Sequence, residues 1–150
     1  MLEVILSPLQ MERLLFNRVH VEINTKHDAN ITAPEFDFDG LPIITEIASA
    51  VKSGQEENPS DFLVKVHVAI LNKDDERQAP YTVDVEAQAV FHLNEAFGAP
   101  DRGELVRVNG SSMIIGAIRE TITQITSRSV FGPFILPSLR VQPVTSEQAE

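Results

Sequence analysis

The side chains with most capacity for chemistry in this 150-residue chain are its four histidines and its paired carboxylates. The histidines are His20, His27, His67 and His92. A metal site needs ligands at short repeating spacings, most simply two on one helical face four residues apart. No histidine here has such a partner, and His67 lies opposite the apolar side of a strand pattern, where it reads as exposed or half-buried. Asp37 and Asp39, and Asp74, Asp75 and Glu76, fall in polar stretches that read as loops or turns, so they are expected to be solvated charges. Ser111 and Ser112 sit in no nucleophile-elbow pattern, and no glycine-rich phosphate loop is present. With no assembled site, neither an enzyme nor a cofactor or metal is expected.

Composition narrows the partners. A net charge of -10 argues against binding nucleic acid, which needs clustered Lys and Arg, and favours basic partners. The chain has no cysteine, which excludes a disulfide framework and fits a reducing, cytoplasmic setting. The start, MLEVILSPLQMERLL, lacks a basic region and a long apolar run, so neither a signal peptide nor membrane insertion is expected. The length suits one domain, residues 1–150, with a core over about 15–141 and a polar, disordered tail over 142–150.

Any working surface must be carried by the following elements. Ser7-Pro8-Leu9-Gln10 has the residue types of a helix start, with Ser7 capping, Pro8 at the first helical position and Gln10 completing a capping box. It predicts a short N-terminal helix to about Leu15. From there Leu15, Val19, Val21 and Ile23 alternate with Phe16, Arg18, His20 and Glu22, a strand. Asn24 to Asn30 reads as a loop. Phe36 and Phe38 alternate with Asp37 and Asp39 until Gly40, and Pro42 to Val51 reads as a second strand or a short helix, the strand being preferred. Ser53 to Asp61 is a loop. Phe62 to Leu71 and Pro80 to Leu93 are strands with strict alternation, joined by a polar turn into an antiparallel hairpin with one face in the core and one wet. Asn94 to Val108 reads as a crossing loop.

The stretch Asn109 to Val141 holds the one long helical pattern. Ile114, Ile115, Ile118, Ile122 and Ile125 form a stripe about 100° wide, with Ser111 or Ser112 capping the start and Gly132-Pro133 ending it. The opposite side carries Met113, Gly116, Ala117, Thr123 and Ser127 and little charge. Such a face suits either a partly covered helix in a monomer or a helix packed on the sheet by one side and on a partner subunit by the other. Pro133 to Val141 is extended and apolar, and its prolines exclude a central strand position. The fold class is therefore α+β: a four-stranded antiparallel meander with one long C-terminal helix packed on it and a short N-terminal helix.

Two features point to binding rather than catalysis. Asp84 and Glu86 lie on the wet face of the hairpin, with Asp74, Asp75 and Glu76 beyond the turn. They are either a soluble sheet face or a docking patch for a basic partner. Phe131, Phe134, Ile135, Leu136 and Leu139 are dense for an extended segment. They either fill the core or form one wall of an apolar groove open to peptide chains.

Taken together, FLVKVHVAIL from Phe62, YTVDVEAQAVF to Phe91, Ile118-Arg119-Glu120-Thr121-Ile122 followed by Thr126-Ser127-Arg128, and Phe134-Ile135-Leu136-Pro137 resemble segments of the bacterial protein-export chaperone SecB family, over roughly residues 15 to 141. The resemblance implies a homotetramer, a dimer of dimers with helices sandwiched between sheets. It implies ATP-independent binding of unfolded polypeptide clients in apolar grooves, where Tyr81 and Phe131 match aromatic positions of the family; with Phe134 and Leu136 of the apolar segment they are the candidate groove residues. It also implies docking of the translocase motor SecA on Asp84, with Glu86 beside it. The family's typical export member continues into a second helix, whereas this sequence closes on QPVTSEQAE. The alternative is a dedicated adaptor of the same fold, guarding one partner such as an antitoxin.

Overall fold

The computed structural model describes residues 1–143. Its elements are β1 (Leu9–Ile23), a 3-10 turn at Ala33–Glu35, β2 (Ile44–Val51), β3 (Asp61–Ile70), β4 (Tyr81–Leu93) and α1 (Arg102–Thr126). The strands form one antiparallel sheet in the order β1-β4-β3-β2. The expected α+β layering, an antiparallel sheet carrying a long helix, is present. The expected tail over 142–150 lies almost wholly outside the described residues.

The topology departs from a simple meander. β2, β3 and β4 follow one another as hairpins, but β1 lies against β4, which is a Greek key. β1 pairs with β4 from Leu9↔Leu93 to Ile23↔Tyr81, leaving only Glu12 and Asn17 without an opposite residue. β2 has just eight residues and offers a much shorter ladder. The chain must therefore travel from one sheet edge to the other between Ile23 and Ile44, a crossover that places Phe36 and Phe38 beside the core.

The predicted N-terminal helix does not form. Leu9 to Leu15 is the first half of β1. The capping side chains are engaged, but in a turn: the Leu9 N–H donates to Ser7 Oγ (3.2 Å) and Gln10 Nε2 donates to the Ser7 carbonyl (2.8 Å). Ser hydroxyls satisfy turns as readily as helix starts, and here the ladder with β4 wins. The bulge at Asn17 also revises the expected face. Phe16 opposes Ala87 and Val19 opposes Val85, so these two share the helix side, while Leu15 opposes Gln88 on the open side.

α1 begins nine residues before Ser111. Asp101 is its N-cap and accepts the Glu104 N–H through its carboxylate (3.0 Å). The presumed crossing loop thus ends at Asp101. Ser111 is buried within the helix and bonds back to the Val108 carbonyl (3.1 Å). Val106, Ile114, Ile115, Ile118 and Ile122 cover the inward alternate residues of β3 and β4. Ile125, expected in that stripe, is exposed.

Gly110 marks the closest approach of helix and sheet. A Cβ there would lie 3.1 Å from two ring carbons of Phe91, which is fully buried and unable to retreat. Gly110→Ala gains about 1 kcal/mol of helix propensity but incurs overpacking of about 1–3 kcal/mol. The expected result in urea unfolding is a net loss. Gly116→Ala, where a Cβ meets nothing within 4 Å, is expected to stabilise the isolated subunit. Equal effects at both sites would contradict this packing.

Candidate functional site

After α1 the chain reverses at Gly132, whose φ of +82° suits glycine. The following segment runs back along the helix, held by helix side chains. The Phe134 N–H donates to Thr126 Oγ1 (2.8 Å), Thr123 Oγ1 donates to the Phe134 carbonyl (3.0 Å), and the Arg119 guanidinium donates twice to the Leu136 carbonyl (3.0 and 2.9 Å). An extended, proline-bounded stretch thereby satisfies its backbone without a strand neighbour.

Three elements meet where this segment passes the start of β4. Tyr81 donates its hydroxyl to the Gly132 carbonyl (2.7 Å) and accepts the Phe131 N–H (3.2 Å). Its ring lies 5.9 Å from Phe131 and 5.5 Å from Phe134. Phe38 from the crossover stacks on Phe134 at 5.3 Å and meets Phe36 edge-on at 5.1 Å. His27 closes the cluster 4.9 Å from Phe131, and the Arg77 guanidinium sits 4.7 Å over Phe36. Such edge and offset contacts are the geometries aromatic quadrupoles favour.

The structure thus brings Tyr81, Phe131 and Phe134 together, but not as an open wall. Tyr81, Phe134 and Leu136 are at most 1% exposed, whereas Phe131 is half-buried. The reachable rim is Phe131 with Phe36, Phe38 and His27. The last three were not anticipated as site residues. The signal for Phe36 and Phe38 was their alternation with Asp37 and Asp39, but nothing local marks the stretch as a crossover.

On the open face of the sheet, Asp84 is bound by its neighbours. His67 Nε2 lies 2.7 Å from its carboxylate, and Arg18 approaches through Nε (3.0 Å) and a terminal nitrogen (2.9 Å). Burial pushes the Asp84 carboxyl up, but the hydrogen bonds from His67 and Arg18 outweigh it and hold the group below the usual carboxylate range. Glu86 has Lys65 at 3.9 Å and Asn17 Nδ2 at 3.3 Å. At the β4-proximal turn, Asp74 pairs with Lys26. The face is a mixed-charge network rather than a bare acidic patch.

The small-residue face of α1 divides. Met113, Gly116 and Ser127 are exposed, while Ala117 and Thr123 are half-buried, Thr123 by its bond to the returning segment.

One pair at the other end of the sheet carries a pH dependence. Asp61 accepts from His92 Nδ1 (2.9 Å) and from Gln55 Nε2 (2.9 Å). The His92 bond, then the Gln55 bond, hold the Asp61 carboxyl low, and the Asp61 bond holds His92 above the ordinary histidine value. A lowered carboxylate contributes stability that fades as pH falls through its folded value. A raised histidine contributes stability that fades as pH rises through its own. The pair therefore stabilises most in the mildly acidic window between the two. The expected NMR titration has His92 shifted upward in the wild type and returned to its ordinary midpoint in Asp61→Asn. An unshifted His92 in the parent would refute the pairing.

No family model matches the chain, and no curated protein matches it. Solved structures do. One is the SecB-like chaperone of Mycobacterium tuberculosis in complex with a ChAD peptide from the HigA1 antitoxin, with a TM-score of 0.51, 20% identity and 87% of each chain covered. Another is a protein of unknown function from Streptococcus agalactiae, with a TM-score of 0.57, 10% identity, and 87% of this chain and 97% of that one covered. The chain has a SecB-like fold.

Proposed function

We propose that this chain is an ATP-independent polypeptide-binding chaperone, a holdase that receives unfolded segments at the aromatic rim and assembles as a dimer of dimers in the cytoplasm. The observation that carries the reading is the SecB-like fold together with a cluster of aromatic rings. Its lower layer, Tyr81 and Phe134, is sealed together with the buried Leu136, and its upper layer, Phe36, Phe38 and Phe131, is half-exposed. A client's apolar side chains would meet the upper layer. The lower layer sets its position and stiffness. Half-exposed aromatic surface on a rigid base binds many apolar sequences with little selectivity. Assembly would use the outer face of α1, through Met113, Gly116, Ala117, Thr123 and Ser127. It would also use the free edge of β1, where Phe16, Val19 and Ile23 stand exposed on the helix side.

The test is suppression of aggregation of a diluted, denatured protein without nucleotide, with the mass read by light scattering in the same buffer. Suppression by a tetramer supports the holdase. A folded oligomer that suppresses nothing moves the function to the second reading, a dedicated adaptor for one partner.

Two observations favour that second reading over export. Asp84, the residue that would dock SecA, already holds Arg18 and His67, so little free negative charge is presented. The Mycobacterium neighbour was solved with an antitoxin peptide. Tight binding of SecA, lost in Asp84→Asn, would restore the export role.

A further inference from the structure

Phe36 stands half-buried in the upper aromatic layer, yet one face of its ring is covered. Arg77 Cζ lies over that face, 4.7 Å from the ring centre. Arg77 is itself exposed, so the covered face is the solvent side of the ring. The rings of His27, Phe38 and Phe134 meet Phe36 at 71°, 82° and 58°, edge-on or tilted, and none of the three lies flat on it. Long cationic side chains cover apolar surface in this way, with the stem along the surface and the charged head in water.

The cover is lightly held, and its root is firm. The Arg102 guanidinium donates to four carbonyls, and that of Arg119 makes two bonds to one carbonyl. Arg77 makes a single hydrogen bond, from Nη1 to the Asp37 carbonyl, and among the described residues it forms no ion pair. Its backbone belongs to the β3–β4 connection, which Gln78 Nε2 braces by donating to the Lys73 (2.7 Å) and Glu76 (3.1 Å) carbonyls. The side chain is therefore free to leave the ring without moving the loop. A hollow of about 340 Å³ beside the ring gives it a place to go, because Asp28, Glu35 and Asp37 line it together with Phe36 and Arg77. A guanidinium displaced from the ring finds carboxylates there.

We propose that Arg77 is a displaceable cover on Phe36, and the residue that sets how readily an apolar client segment enters the rim. The inference rests on the client-binding reading above and adds a gate to it. With the rim empty, the guanidinium keeps a hydrated charge over an aromatic face that would otherwise be bare apolar surface. A client side chain docking on that face must either bury the charge, which costs its hydration, or push it aside. Pushing it aside gives up one exposed cation–π contact, so the gate is a selectivity term and not a block.

The test is calorimetric titration with a peptide of Phe, Leu, Ser and Gly residues, blocked at both ends and uncharged. Arg77→Ala is expected to tighten its binding about two- to fivefold, the strength of an exposed cation–π contact, and Arg77→Gln should do the same. Arg77→Lys, which keeps a cation over the ring, should stay near the parent. In a Phe36→Leu background Arg77→Ala should change nothing, because no aromatic face remains to be uncovered. Unchanged or weaker binding in Arg77→Ala and Arg77→Gln, or an equal gain with and without the Phe36 ring, would overturn the proposal. Phe131→Ser, titrated alongside, separates the gate from the client site. If Phe131→Ser weakens binding while the Arg77 variants do not tighten it, the cover alone falls. If Phe131→Ser leaves the parent affinity intact, the rim is not the client site and the cover falls with it.

Discussion

Tyr81→Ser combined with Phe134→Ser will unfold the subunit rather than produce a folded protein that has lost its clients. Both rings are fully buried, and each touches the other as well as Phe131 or Phe38. Truncating one buried aromatic costs about 3–5 kcal/mol, and a domain of this size has about 5–15 kcal/mol in total. The Tyr81 hydroxyl adds a second loss, because it satisfies both the Gly132 carbonyl and the Phe131 N–H and so holds the turn that starts the returning segment. The sites are in contact, so the two effects will not add simply, but either alone consumes much of the margin. Circular dichroism in urea should show the double variant largely unfolded without denaturant. Phe131→Ser is the informative partner: a half-buried ring at the rim should cost about 1–2 kcal/mol and weaken client binding in a protein that still folds. A double variant that melts like its parent would remove the sealed lower layer on which this account of the site depends.

How much of this could be read from the amino-acid string depends on how local the cause is. β3 and β4 were legible because each buries one face completely, so Val64, Val66 and Val68, and Val83, Val85 and Ala87, had to alternate with polar residues. The inward stripe of α1 was legible for the same reason. Its start was not, because Gly98, Pro100 and Gly103 look like a loop and the Asp101 cap lies among them. β1 was half legible. The same Ser7 and Gln10 groups satisfy a turn before a strand, and only the pairing with β4, some seventy residues away, decides between them.

The candidate site was legible in its parts but not in its depth. Tyr81, Phe131 and Phe134 were marked by density of aromatic residues in the chain. That density cannot distinguish a groove wall from a groove floor. The distinction comes from the crossover, whose Phe36 and Phe38 cover Phe134 because β1 sits beside β4 and the chain must return across the sheet. A strand order of plain succession would have left Phe134 open. Likewise Asp84 read as free charge because Arg18 and His67, its partners, lie on two other strands.

Arg102→Met is expected to cost about 3 kcal/mol, a loss out of proportion to one surface-strand or loop contact. Arg102 is nearly buried at the first position of α1, where the positive end of the helix dipole disfavours a cation by about 0.3–1 kcal/mol. Something else must therefore hold it there. Its guanidinium donates to four carbonyls: Pro59 (2.7 Å), Leu93 and Asn94 (3.1 Å each), and Phe97. These belong to the β2–β3 connection, the end of β4 and the loop that leads into the helix. Four carbonyl dipoles replace the hydration shell of the charge, and a planar fork with five N–H groups suits such a net where an ammonium does not. Methionine keeps the packed stem but leaves acceptors without a donor, at about 1–3 kcal/mol for each that water cannot reach. Arg102→Lys should recover only part of the loss. In urea the midpoint should fall with the slope unchanged, because the unfolded state is not altered. Hydrogen exchange should quicken first at Leu93, whose N–H bonds the Ser60 carbonyl across the same junction. A loss under 1 kcal/mol in Arg102→Met would mean that water fills the net, and that the junction of sheet and helix is held by the apolar contacts of Val106 and Leu93 alone.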